Sequence, residues 1–137
     1  MKTAERLRRP RKIHAVDTGL RNVVSVTGSP DRGHLAETAV ANALMREEGE
    51  LYFWQNGGEI DLVIRRGTAV RTLVQVVYEG LEDSSVAKRE LTSLSEAKRG
   101  FPKAERIVVV GRAPATATLS ANGVRIIPLW RFLLGER

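Results

Sequence analysis

The sequence predicts an α/β domain, a mixed central sheet with helices packed on it. Apolar stripes at helical spacing, over 34–48 and 84–99, alternate with short runs of Val, Ile and Leu. Two of those runs, 59–65 and 70–78, are parted only by a short turn around Gly67 and read as a β-hairpin. A third, 106–110, is apolar at every position after Arg106, as in a strand buried on both faces.

Taken in order, residues 1–12 are dominated by Arg6, Arg8, Arg9, Arg11 and Lys12, with Pro10 breaking any helix. They read as a basic arm or the stump of a linker, ahead of one domain over 13–137. Ile13-His14-Ala15-Val16 is expected to be a short extended element, and Asp17 or Thr18 to cap a short helix. Ser29-Pro30-Asp31-Arg32-Gly33 is loop chemistry. In the helix over 34–48, Ala36, Ala39, Val40, Ala43 and Leu44 form the apolar stripe; Thr38, Asn42 and Arg46 lie opposite, and Glu37 sits at the border. Leu51-Tyr52-Phe53-Trp54 is an aromatic-rich strand, followed by a turn at Asn56-Gly57-Gly58. Val86, Leu91, Leu94 and Ala97 make the stripe of the second long helix, which Gly100 and Pro102 end. Val124-Arg125-Ile126-Ile127 is a further strand, and 129–134 a terminal helical turn.

With 137 residues the chain suits a single domain with a real core, and 42% apolar against 28% charged residues is a soluble globular composition. It has no cysteine, so disulfides and thiolate zinc sites are excluded and a cytoplasmic compartment fits. No apolar run approaches the ~20 residues that span a bilayer, so no membrane association is expected. The net charge is +6 and arginine far outnumbers lysine. Arginine makes bidentate phosphate contacts, which adds weight to a nucleic-acid partner, DNA first. A solvated basic surface would give the same count.

The hairpin carries the chemistry. Ile60, Leu62 and Ile64 are expected on one face of the first strand, and Glu59, Asp61 and Val63 on the other. On the second strand Val74, Val76 and Tyr78 share a face, as do Leu73, Gln75 and Val77. A three-residue loop centred on Thr68 would set Asp61 directly opposite Gln75; a two-residue loop would shift the pairing by one. Directly opposed residues have Cβ atoms ~5 Å apart, close enough to share one metal ion or one hydrogen-bond network. An aspartate and an amide among Val, Ile and Leu are costly unless satisfied. Asp61, Gln75 and the Val76 carbonyl offer hard oxygen ligands for Mg²⁺ or Mn²⁺, and Glu37 a hold on a metal-bound water.

Several residues also have simpler readings. Gln75 could merely hydrogen-bond Asp61. Lys88 and Glu90 are expected on a solvated helix face. His14 and His34 lack ligand spacing. Tyr52, Phe53, Trp54 and Trp130 read as core. No Walker A sequence is present, so this chain is not itself an ATPase.

A helix with Glu37, a strand with Asp61 and a following strand with Gln75 have the layout of the PD-(D/E)XK, restriction-endonuclease-like superfamily, which the chain resembles. It is more closely similar to the C-terminal domain of archaeal and bacterial AAA-type ATPases of unknown function. That likeness rests on Lys12-Ile13-His14-Ala15-Val16-Asp17-Thr18-Gly19-Leu20, Leu35-Ala36-Glu37-Thr38-Ala39-Val40, Glu59-Ile60-Asp61-Leu62-Val63, Gln75-Val76-Val77-Tyr78, Lys88-Arg89-Glu90 and Ile127-Pro128-Leu129-Trp130. The resemblance implies a restriction-endonuclease-like fold. It also implies a nuclease-type site with Glu37, Asp61 and Gln75 holding Mg²⁺ or Mn²⁺. Arg8, Arg9, Arg11, Lys12, Arg65, Arg66 and Arg89 are the expected contacts to the nucleic-acid backbone.

The chain departs from the superfamily pattern where it reads Gln75-Val76-Val77 for Glu-x-Lys. The acid is an amide, and valine stands where a lysine would steady the phosphate. Lys88 or Arg89, with Glu90 as an added carboxylate, could supply the cation from the next helix. The alternative is a catalytically inactive interaction module, docked on an ATPase domain or another partner chain, or paired as a homodimer.

Overall fold

Residues 12–24, 31–47, 49–55, 58–80, 84–112, 119–121 and 123–136 are described by the computed structural model. Arg8, Arg9 and Arg11, the Ser29-Pro30 part of the loop and the Asn56-Gly57 turn lie outside them, as does the Val86 side chain. The elements are α1 (Thr18–Val24), α2 (Arg32–Met45), β1 (Glu50–Gln55), β2 (Glu59–Arg66), β3 (Ala69–Val77), α3 (Ser84–Gly100), β4 (Glu105–Val110), β5 (Leu119–Ala121), β6 (Val124–Pro128) and α4 (Leu129–Leu133).

The expected α/β class is observed. Six strands form one sheet in the order β1-β2-β3-β4-β6-β5. β1, β2 and β3 make an antiparallel meander, β3 pairs with β4 in parallel across the α3 crossover, β4 pairs with β6 in parallel, and β5 is antiparallel to β6. β3 and β4 therefore form the centre, and β2 lies one strand in from the edge rather than centrally. Helices cover both faces. On one, Val40, Ala41 and Leu44 of α2 and Phe132 of α4 meet Leu62, Ile64, Val74, Ile107, Val109 and Ile127. On the other, Leu94 and Ala97 of α3 meet Val63, Leu73, Val77, Val108, Val110 and Val124. Successive residues of β4 serve both clusters, which is why 106–110 has no polar alternation.

The 13–16 segment is no strand. Residues 12–17 form an irregular strap across α2, and α1 follows with Asp17 Oδ1 accepting from the Leu20 amide at 2.9 Å. The strap changes the faces of α2. Thr38, expected on the outer side, is fully buried, and Asn42 Nδ2 donates to the carbonyls of Ala15 at 2.9 Å and Val16 at 3.0 Å. Asp31 is the N-cap of α2, accepting from the His34 amide at 3.0 Å.

The hairpin reaches the expected register by another route. Its loop is the two-residue Gly67-Thr68 turn, with Gly67 at φ +60° and Arg66 paired with Ala69. A bulge then takes up one extra residue of β3, so that Ile64 pairs with Thr72, Val63 with Leu73 and Leu62 with Val74. The one-residue shift of the shorter loop is cancelled up to Leu62 and Val74, and just beyond that pair the Asp61 amide meets the Gln75 side chain. The face assignment fails at Ile60, which packs with Val63 and Leu73 rather than with Leu62 and Ile64. Beyond Leu62, side-chain bonds from Asp61 and Gln75 join the two strands, and the simple alternation ends there.

The aromatic residues divide. Trp54 packs edge-on against Phe101 in the α3-side cluster, whereas Tyr52 lies on the surface and Trp130 is 50% exposed. α4 is a five-residue helix at the sheet end, and it buries Phe132 in place of its tryptophan.

Candidate functional site

Where β2 and β3 give up their regular ladder, their side chains take over. Asp61 Oδ2 accepts from the Val76 amide at 3.0 Å, and the Asp61 amide donates to Gln75 Oε1 at 3.3 Å. The simpler reading of Gln75, a hydrogen bond to Asp61, is thus realised. Glu37 reaches the same place from α2. The strap delivers Lys12, whose Nζ lies 2.9 Å from Asp61 Oδ1, 2.9 Å from Glu59 Oε1 and 3.1 Å from Glu37 Oε1.

Burial works against the Lys12 charge. The Asp61, Glu59 and Glu37 carboxylates outweigh it and hold the ammonium above the ordinary lysine range. His14 follows on the strap, its Nδ1 3.5 Å from Thr38 Oγ1 and its Nε2 4.0 Å from Glu37 Oε1, with its ring stacked on His34 at 6.2 Å. Burial pushes this imidazole below its usual value, with Glu37 pulling the other way.

Glu37, Asp61 and Gln75 border a cavity of about 870 Å³ that Lys88, Arg89 and Glu90 also line. Lys88 is exposed at its rim and has no ion pair among the described residues. Arg89 is fixed to Glu90 by Nε at 2.9 Å and Nη2 at 2.6 Å. Glu90 is only 5% exposed, so the solvated-face reading fails for it: it turns inward, towards the cavity. Val77 is packed among Leu73, Leu94 and Ala97.

Three expected backbone contacts take other places. Lys12 is the cation inside the carboxylate cluster. Arg65 and Arg66 sit at the far end of β2, beside the turn. There Arg65 pairs with Glu50 and lies over the Tyr52 ring, and Arg66 lies 3.5 Å from Glu47. They are engaged in local pairs, away from Asp61. Glu59 joins the site without having been singled out as a ligand, and the two histidines meet although their spacing gives no sign of it. None of these encounters has a local sequence signal, because the partners lie on separate elements.

A divalent ion is the group such carboxylates imply. Among the described residues no three Asp, Glu or His side chains stand as a ready-made metal cluster. The donor set still fits one in kind. Glu37 Oε1 is buried without a hydrogen bond, its contact with Lys12 lying outside hydrogen-bond geometry. The Glu37, Glu59 and Asp61 carboxylates gathered around Lys12 also present the hard, anionic oxygens that Mg²⁺ or Mn²⁺ takes.

The class so defined is a three-layer α/β domain with a carboxylate-lined cavity at the parting of two central-sheet strands. The family model described as a domain of unknown function (DUF4143) matches residues 32–132, and the chain belongs to that family, whose members are often found at the C-terminus of AAA-type ATPases. The matched segment contains Glu37, Asp61, Gln75, Lys88, Arg89 and Glu90; Lys12 and His14 precede it. Neither the curated proteins nor the solved structures give a match.

Proposed function

We propose that this is a nuclease-like, DNA-binding domain of the PD-(D/E)XK type, with Glu37, Asp61 and Gln75 holding Mg²⁺ or Mn²⁺ for phosphodiester hydrolysis. The observation that carries the reading is the convergence of these three side chains, from one helix and two strands, on one cavity, where Glu37 Oε1 is buried with an ion pair to Lys12 but no hydrogen bond. The ion, when bound, supplies the charge that activates water and offsets charge on the phosphate. The chain's own groups do the rest. The Val76 amide fixes the Asp61 carboxylate, and the Asp61 amide orients the Gln75 carboxamide oxygen, whose second lone pair stays open for the ion. Glu90 holds Arg89 at the rim, where Arg89 and Lys88 address phosphate oxygens in place of the lysine that Val77 replaces.

The DNA track follows α3. Lys88, Thr92, Ser95 and Arg99 lie at helical spacing on one face and line one groove. Lys88 and Thr92 also border the site cavity. Lys88 and Arg99 are exposed and form no ion pair among the described residues. Arg65 and Arg66 drop out of the interface, being occupied elsewhere.

Plasmid and branched DNA incubated with Mg²⁺ or Mn²⁺, and with EDTA, test the reading. Metal-dependent nicking that disappears in Asp61→Ala is the expected result. Binding without cleavage under every condition would remove the hydrolase and leave a DNA-binding module.

A second reading, an inactive interaction module on an ATPase domain or partner chain, is favoured by one feature. α1 buries none of its residues and exposes Leu20, Val23 and Val24 at adjoining helical positions. Failure of both DNA binding and cleavage would leave that reading standing.

A further inference from the structure

We propose that Lys12 is a tethered competitor of the divalent cation, so that metal enters the site only as the strap of residues 12–17 lifts. This rests on the metal-binding part of the proposed function and adds a control to it. Asp61 Oδ1 and Glu37 Oε1, which a metal must reach, are the same atoms that the Lys12 ammonium contacts at 2.9 and 3.1 Å. A divalent ion binds such oxygens at ~2.1 Å, well inside the shell that an ammonium occupies. Both cations cannot sit at the meeting point of one small set of oxygens, and their mutual repulsion in a partly enclosed cavity adds to the conflict.

The strap is built to hold Lys12 there, yet lightly. The Asn42 carboxamide grips two consecutive carbonyls, those of Ala15 and Val16, and His14 rests against Thr38. The two large apolar side chains of the strap, Ile13 and Val16, do not anchor it, since both project into solvent. A segment held by a few polar contacts opens at low cost. With Lys12 withdrawn, Glu37, Glu59 and Asp61 face one another without a counter-charge, which favours a divalent ion. With Lys12 seated, the same cluster has its cation already, and the apparent metal affinity falls in proportion to the time the strap is open.

Calorimetric titration of Mn²⁺ into the wild-type chain, Lys12→Gln and Asn42→Ala tests this. Lys12→Gln is expected to bind Mn²⁺ about tenfold more tightly or better, the ratio expected if the strap is seated at least nine-tenths of the time. Asn42→Ala, which loosens the strap and leaves every carboxylate in place, is expected to move in the same direction by less. In the wild-type chain, Mn²⁺ is expected to speed amide hydrogen exchange over residues 13–16. Equal or weaker Mn²⁺ binding by Lys12→Gln would overturn the proposal and make Lys12 a companion of the metal. Failure of all three chains to bind Mn²⁺ would overturn it together with the metal reading. Tighter binding by Lys12→Gln with no DNA cleavage by any variant would uphold the competition while ending the hydrolase.

Discussion

Asp61 is fastened on three sides: one oxygen on the Lys12 ammonium, the other on the Val76 amide, and its own amide on Gln75. A carboxylate so held has little freedom of orientation, which suits a ligand and equally suits a structural lock. His14 beside it gives a measurable consequence. The groups around its ring are Glu37, His34, Lys12 and Asp61, and burial dominates, lowering its affinity for a proton. In the unfolded chain the imidazole titrates near 6.5. Because the folded value is the lower of the two, the unfolded state takes up the proton first as pH falls. The contribution to stability is therefore complete above about 6.5 and is lost as pH drops towards the folded value. Urea midpoints of the metal-free protein in EDTA, measured across that range, are expected to fall more steeply for the wild-type chain than for His14→Gln. Parallel pH profiles would show that His14 is not the group responsible.

At the scale of elements, the hairpin and the strap differ in how much of them the sequence discloses. Asp61 and Gln75 could be paired in advance because a strand repeats every two residues and a short turn admits few registers. The expected register holds up to Leu62 and Val74 although the turn is one residue shorter than supposed, since the bulge in β3 restores the count, and beyond it side-chain bonds bring Asp61 and Gln75 together. Buried β4 was legible for a similar reason: an unbroken apolar run has little alternative to a strand covered on both faces. The strap was illegible. Lys12 meets Asp61 across 49 positions of sequence, and nothing local distinguishes a lysine bound for a carboxylate cluster from one in a basic tail. Thr38 and Asn42 were assigned outward by helical spacing because the strap that covers them has no periodicity of its own. A comparable non-local fit occurs where β3 and β4 end. The Gly111 amide donates to the Val77 carbonyl at 3.0 Å, and a Cβ on Gly111 would stand 2.3 Å from the Tyr78 ring and 2.6 Å from the Tyr78 carbonyl. Backbone is part of the obstacle, so a rotamer change cannot clear it. Gly111→Ala is expected to destabilise the fold by about 1–3 kcal/mol, the usual range for overpacking. A thermal or urea transition coinciding with that of the wild-type chain would contradict this packing.

For the molecule as a whole, the excess of +6 matters less than where its cations are free. Arg65, Arg66, Arg125 and Arg131 are paired with Glu50, Glu47, Glu105 and Glu136, and these acids lower their local field. On α3, Lys88 and Arg99 are exposed and have no such partner among the described residues, and the groove between them runs up to the cavity that holds Asp61. On the proposed DNA-binding reading, a helix face of this kind contacts phosphates without reading bases, so its affinity falls with salt through counterion release. Each phosphate contact removed makes the plot of log affinity against log salt shallower by about 0.9 for duplex DNA. The Lys88→Ala, Arg99→Ala double variant is therefore expected to bind DNA more weakly at low salt and with a shallower slope than the wild-type chain. Arg65→Ala and Arg66→Ala are expected to leave the slope unchanged, because their charges already face acids. Fluorescence anisotropy over a salt series separates the cases. A slope lost with Arg66 and kept without Lys88 and Arg99 would move the DNA to the turn end of β2, away from the carboxylates, and would detach binding from any chemistry at Asp61.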